Sequence, residues 1–208
     1  MLASLSLLAI GFLLGIRHAA DPDHVVAITT ILSGRRSLRS ASAVGALWGI
    51  GHTVAIVTVG GAMIVFKVLV PQRAFLAAEM GVALMLVVLG LLALRGEPSA
   101  VTDSNARPLI VGTVHGLAGT GGVMAIGSPL LADPGWAMLS LLLFGAGTIA
   151  GMMLVTVAMS VPALYSPGRF PRARGWLRYA SAVVSVGFGL VLAHRVGFVD
   201  GLFLTAAR

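Results

Sequence analysis

Five of eight consecutive residues carry ionisable side chains in Arg17-His18-Ala19-Ala20-Asp21-Pro22-Asp23-His24: one guanidinium, two imidazoles and two carboxylates. Apolar residues flank them on both sides, Leu2–Ile16 before and Val25–Leu32 after. Charged groups in the middle of a hydrophobic run are costly, and where a membrane segment keeps them they point to function. Imidazole and carboxylate without thiolate suit a divalent ion of borderline softness, such as nickel, cobalt or zinc. The chain has no Cys, which excludes thiolate metal sites, thiol nucleophiles and disulfides together. Copper(I) would prefer Cys or Met, and the nine Met are scattered in a way that reads as core filling.

On an ideal helix, the i, i+3, i+6 spacing of His18, Asp21 and His24 places them within an arc of about 120°, with Asp23 on the other side. Pro22 disturbs that helix, because it removes the hydrogen bond to the carbonyl of His18. The resulting kink is expected to swing Asp23 towards the same cavity and to free that carbonyl as an oxygen ligand. A different reading ends the first helix at Ile16 and makes the motif a cytoplasmic loop before Val25–Leu32, which is too short to span and would be re-entrant or interfacial. Two further histidines lie deep in apolar runs, His52 in Gly49-Ile50-Gly51-His52-Thr53 and His115 in His115-Gly116-Leu117-Ala118-Gly119. The candidate metal ligands are therefore His18, Asp21, Asp23, His24, His52 and His115. His194, beside Arg195 near a boundary, reads as interfacial. Arg17 either neutralises the carboxylates when no ion is bound or snorkels towards the surface.

The elements that must position these groups are apolar helices. Of 208 residues 58% are hydrophobic and 10% charged, with mean hydropathy +1.00. A soluble domain carries about a quarter charged residues. Six runs of roughly bilayer length follow one another: 2–32 (interrupted), 41–70, 75–94, 108–132, 136–164 and 176–196. The expectation is an all-α polytopic membrane protein of about six transmembrane helices, forming one domain over residues 1–208.

The net charge of +7 would suggest nucleic acid in a soluble protein, but here the basic residues cluster in alternate loops. Arg35, Arg36, Arg39, Arg95, Arg107, Arg169, Arg172 and Arg174 follow the odd-numbered runs, against Lys67 and Arg73 after the even ones. The positive-inside rule then puts the odd loops in the cytoplasm and both termini outside, in the plasma (inner) membrane. No basic region precedes the first apolar run, which is read as retained helix and not a signal peptide. A faint repeat also runs through the chain. Gly15-Ile16-Arg17-His18 echoes Gly112-Thr113-Val114-His115 at a shift of 97, and Trp48-Gly49-Ile50-Gly51 echoes Phe144-Gly145-Ala146-Gly147 at 96. Leu92-Ala93-Leu94-Arg95 echoes Leu192-Ala193-His194-Arg195 at 100. Repeats 1–97 and 98–208 of three helices each would enter the membrane from opposite sides, the 3+3 inverted plan that places transporter sites near the midplane.

The His18-x4-Asp23-His24 element resembles the signature of the nickel/cobalt transporter (NiCoT) family, whose usual form has Ala where this chain has Pro22. Gly51-His52-Thr53-Val54 resembles that family's second motif on the next helix, and His115-Gly116-Leu117-Ala118-Gly119 is similar to a motif of the shorter, urease-associated permeases. The resemblance implies Ni2+ or Co2+ uptake by a secondary permease, with His18, Asp23, His24 and His52 needed for transport. Larger members have eight helices with the signature on the second; a chain that begins with the signature helix agrees with an outside N-terminus. A related efflux group carries a His-rich loop, whereas residues 96–107 hold no His, which favours uptake.

The expected function is thus divalent-metal uptake, with the metal ion and the bilayer as partners, no nucleic acid and no catalytic activity. Efflux is the alternative within the class. An intramembrane metalloenzyme is the alternative outside it, and would need Asp21 as base because Glu79 and Glu97 lie away from the motif. No Walker A loop is present, so ATP-driven transport would require another subunit.

Overall fold

The computed structural model describes residues 2–32, 37–95, 106–127, 133–165 and 171–204, and these are helical throughout apart from short turns. Seven α-helices follow in order: α1 (Leu2–His18), α2 (Pro22–Leu32), α3 (Leu38–Phe66), α4 (Gln72–Leu94), α5 (Ala106–Gly127), α6 (Pro134–Tyr165) and α7 (Pro171–His194). A π-helical turn over Arg195–Val199 closes the last of them. Helix starts are set by local chemistry. Proline, whose missing N–H costs nothing in a first turn, opens α2, α6 and α7. Ser37, in an extended conformation, accepts the Ser40 N–H at the start of α3, and Asp133 Oδ1 accepts the Gly135 N–H at the start of α6.

Four segments are long and apolar enough to cross a membrane: Leu38–Phe66, Gln72–Leu94, Pro134–Val161 and Arg178–Val199. The first apolar run is not one helix but two in series. Pro22 starts α2, and the residue before a proline is disfavoured in helical conformation, so the chain turns through Ala19-Ala20-Asp21. Neither half, of 17 and 11 residues, meets the length of a full span. The His18 carbonyl is not released by this break, because it accepts the Asp21 N–H at 3.0 Å. The loops holding Arg35, Arg36 and Arg169 lie outside the described residues.

Helix α3 is central, packed against α5 on one side and α6 on the other; α1 lies on α6, and α4 joins α7 and α5. Ile28, Trp48, Val82, Leu86 and Met152, from four different helices, meet in the larger apolar cluster. Several seams are backbone on backbone. A Cβ on Gly15 would strike the carbonyl of Phe144, and one on Gly112 the carbonyl of Trp48. Gly51 abuts the carbonyl of Leu109, and Gly147 that of Phe12. A Cβ on Gly90 would stand 2.7 Å from the Ala182 oxygen, and one on Gly189 2.7 Å from the Ala83 oxygen. These contacts recur in couples, with glycine and carbonyl partner each displaced by 96–99 residues and the direction of approach exchanged. Small residues permit this approach in membrane helices, where burial of apolar surface does little to hold helices together.

Candidate metal centre

The turn between α1 and α2 brings the motif against α3 and α5. His18 is the last residue of α1, Asp21 sits in the turn, and Asp23 and His24 occupy the first turn of α2. Asp21 bonds His18 Nδ1 at 2.7 Å. A carboxylate only accepts, so Nδ1 carries a hydrogen, which in the neutral ring leaves the lone pair on Nε2. That lone pair faces His52 of α3, Nε2 to Nε2, at 3.1 Å. Donors sharing one ion with bonds near 2.1 Å stand about 3.0–3.4 Å apart when adjacent in its coordination sphere, so the spacing suits a common ligand. His24 joins the pair: one donor atom from each of His18, His24 and His52 lies within 4.8 Å of the others.

The small residue opposite is part of the design. A Cβ on Gly119 of α5 would lie 3.3 Å from His18 Nε2 and 3.5 Å from His52 Nε2. Glycine there keeps open the space towards which the two nitrogens point. Helix α5 runs unbroken through Gly116, Gly119 and Gly121, so at 119 the missing side chain is what matters.

Asp23 and His115 form a second group next to the first. Asp23 Oδ1 lies 3.4 Å from His24 Nδ1, and its Oδ2 3.7 Å from His115 Nε2. The kink does swing Asp23 to the histidine side, away from its ideal-helix position. His24, His52 and His115 are almost wholly buried, whereas the Asp21 side chain is 46% and the His18 side chain 19% exposed. Among the described residues the cluster is therefore most exposed at Asp21. Both ring nitrogens of His24, Nδ1 of His52 and Nε2 of His115 are buried with no hydrogen-bond partner. Buried polar atoms are almost always satisfied, so four orphaned imidazole nitrogens in one cluster mark a site built for something else. Trp48 walls it, its ring centroid 5.5 Å from those of both His24 and His115.

Arg17 is exposed, and the ion-pair partners of Asp21 and Asp23 among the described residues are histidines, so snorkelling describes Arg17 better than charge neutralisation. His194 is exposed at the end of α7, against Phe198.

Along its length the chain is similar to the urease accessory protein UreH of Bacillus sp. (strain TB-90), with 29% identity covering 96% of this chain and 95% of that protein. It is also similar to two Arabidopsis thaliana chloroplast proteins, FOR GROWTH AND FERTILITY 2 and 1, each at 29% identity. These matches cover 88% and 90% of this chain but only 54% and 59% of the plant proteins. No family model and no solved structure matches the sequence. The chain is thus a membrane protein, all-helical among its described residues, with a histidine cluster inside and similar end to end to a urease accessory protein.

Proposed function

We propose that this chain is a secondary permease that carries a divalent transition-metal ion, Ni2+ foremost and Co2+ next, into the cytoplasm. The observation that carries the proposal is the convergence of His18, His24 and His52 within 4.8 Å, in a helix bundle that leaves both His24 nitrogens and His52 Nδ1 unpartnered. Asp21 orients His18 from behind, the carboxylate–histidine–metal arrangement that fixes the tautomer and raises ligand basicity. Because Asp21 is committed to His18, it is not placed to activate water, and transport is favoured over hydrolysis. The donor set admits nickel, cobalt and zinc. Similarity to a urease accessory protein, with the resemblance of the motif to nickel/cobalt transporters, favours nickel.

The proposed architecture has six crossings, with α1 and α2 in series making the first, and halves 1–97 and 98–208 as inverted copies. The reciprocal glycine seams support it: Gly15 on Phe144 matches Gly112 on Trp48, and Gly51 on Leu109 matches Gly147 on Phe12, each at shifts of 96 or 97. The eight-to-two distribution of basic residues supports cytoplasmic odd loops and outside termini.

The test is accumulation of radiolabelled nickel in cells expressing this chain alone, with excess cobalt, zinc or manganese as competitor. Uptake should exceed that of vector cells, yield to cobalt more than to manganese, and vanish in His18→Ala, His24→Ala and His52→Ala that still reach the membrane. No uptake above vector, or near-normal uptake in two of the three variants, sinks the assignment.

A further inference from the structure

His115 is the repeat counterpart of His18, and its surroundings are built the same way. Each ring has its Nδ1 hydrogen anchored, His18 on Asp21 and His115 on the Val111 carbonyl at 3.1 Å. Each ring also packs against an aromatic at matching positions, His18 against Phe144 and His115 against Trp48, both with centroids 5.5 Å apart. A carbonyl only accepts, so the anchored His115 presents the lone pair of Nε2, and it presents it to a carboxylate oxygen. Two acceptors facing one another at 3.7 Å, the nitrogen almost wholly buried and unpartnered, lack a cation between them. With bonds near 2.1 Å, one ion spans donors up to about 4.2 Å apart, so Asp23 and His115 are already within chelating distance. His24 stands between the two groups, its ring centroid 4.8 Å from His18 and 4.9 Å from His115. Its Nε2 has no hydrogen-bond partner, and its Nδ1 has only Asp23 Oδ1, 3.4 Å away.

We infer that the centre holds two overlapping metal positions that share His24: one formed by His18, His24 and His52, the other by Asp23, His24 and His115. The inference rests on the permease reading and deepens it. An ion bound at the first position moves to the second by exchanging His18 and His52 for Asp23 and His115, while His24 stays attached. The ion is thus never stripped of all its ligands in the low-dielectric interior. Because a neutral imidazole offers a single lone pair, only one position can be occupied at a time.

The test uses the full-length protein purified in detergent and reconstituted into vesicles, with Ni2+ as probe. Wild-type protein should bind one Ni2+ per chain at saturation, and two ions bound at once overturns the shared ligand. His115→Gln should change equilibrium affinity by less than about threefold yet slow vesicle uptake by about tenfold or more, whereas His52→Ala should weaken affinity itself by about tenfold or more. Asp23→Asn should slow uptake as His115→Gln does. Uptake by His115→Gln at the wild-type rate overturns the second position. An affinity loss in His115→Gln equal to that of His52→Ala makes the centre a single site and overturns it as well. Should His115→Gln fail to fold, the wild-type stoichiometry and Asp23→Asn decide the matter. Wild-type protein that binds no Ni2+ removes the permease reading and this inference together; nickel binding and uptake with the variant outcomes reversed removes this inference alone.

Discussion

At the scale of single residues, which histidines could cooperate was legible from type and depth, but the division of labour between the carboxylates was not. Spacing on an ideal helix groups Asp21 with both His18 and His24 and sets Asp23 on the other side. The turn at Ala19-Ala20-Asp21 leaves Asp21 with His18 but gives Asp23 to His24 and His115. No periodicity argument finds the place of Asp23, because the helix is interrupted between His18 and Pro22. Two substitutions test the local geometry without deleting a ligand of the first position. Asp21→Ala removes the group that orients His18 and should lower nickel affinity about 10–100-fold. Gly119→Ala introduces a methyl 3.3 Å from His18 Nε2, in the space towards which His18 and His52 point, and should weaken binding while the helix remains formed. Calorimetric titration of the purified variants with Ni2+ reads both, and wild-type affinity in Asp21→Ala would leave that carboxylate without the proposed role.

At the scale of helices, the sequence announced its breaks through Pro and Gly, and most element boundaries follow from them. It could not say which glycines matter, since each of the 27 has the same two ordinary explanations, packing or a loop. The structure separates them by what lies opposite. Gly51 and Gly147 face the backbone carbonyls of Leu109 and Phe12, which cannot turn aside as a side chain can, whereas nothing lies within 4 Å of a Cβ on Gly81. Gly51→Ala and Gly147→Ala should each destabilise the fold by about 1–3 kcal/mol through overpacking. Gly81→Ala should stabilise it by roughly 0.5–1 kcal/mol, as expected where helical glycine merely costs entropy. Thermal unfolding in detergent measures all three; equal shifts would mean that the seams yield more easily than their backbone contacts imply.

At the scale of the whole molecule, the repeat was faint in sequence because three short matches in a Gly-, Leu- and Ala-rich chain arise easily. It gains weight only when the matched residues prove to touch each other's counterparts. Its membrane orientation can be tested directly, because the absence of Cys allows single cysteines to be placed at will. At Gln72 and Asp133 they should react with an impermeant maleimide on intact cells; at Ser37, Ser104 and Ser166 they should react only after the membrane is opened. If Gln72 and Ser104 behave alike, α4 does not span and the inverted plan falls.

Such a plan has an energetic corollary. Two identical halves would give end states of equal energy, open to either side equally often. The Thr53 hydroxyl bonds the Gly145 carbonyl across the α3–α6 seam at 3.1 Å, and the matching position in the other half is Ile149, which has no hydroxyl to return the bond. Interhelical bonds of this kind are worth about 0.6 kcal/mol in a membrane, and that tips a balanced pair of states by about threefold. If the proposed inverted plan holds and the bond forms in only one of the two end states, this hydroxyl alone would bias them, a preference readable as unequal populations in label-to-label distances across that seam. A bias that small would be within reach of a bound ion to reverse.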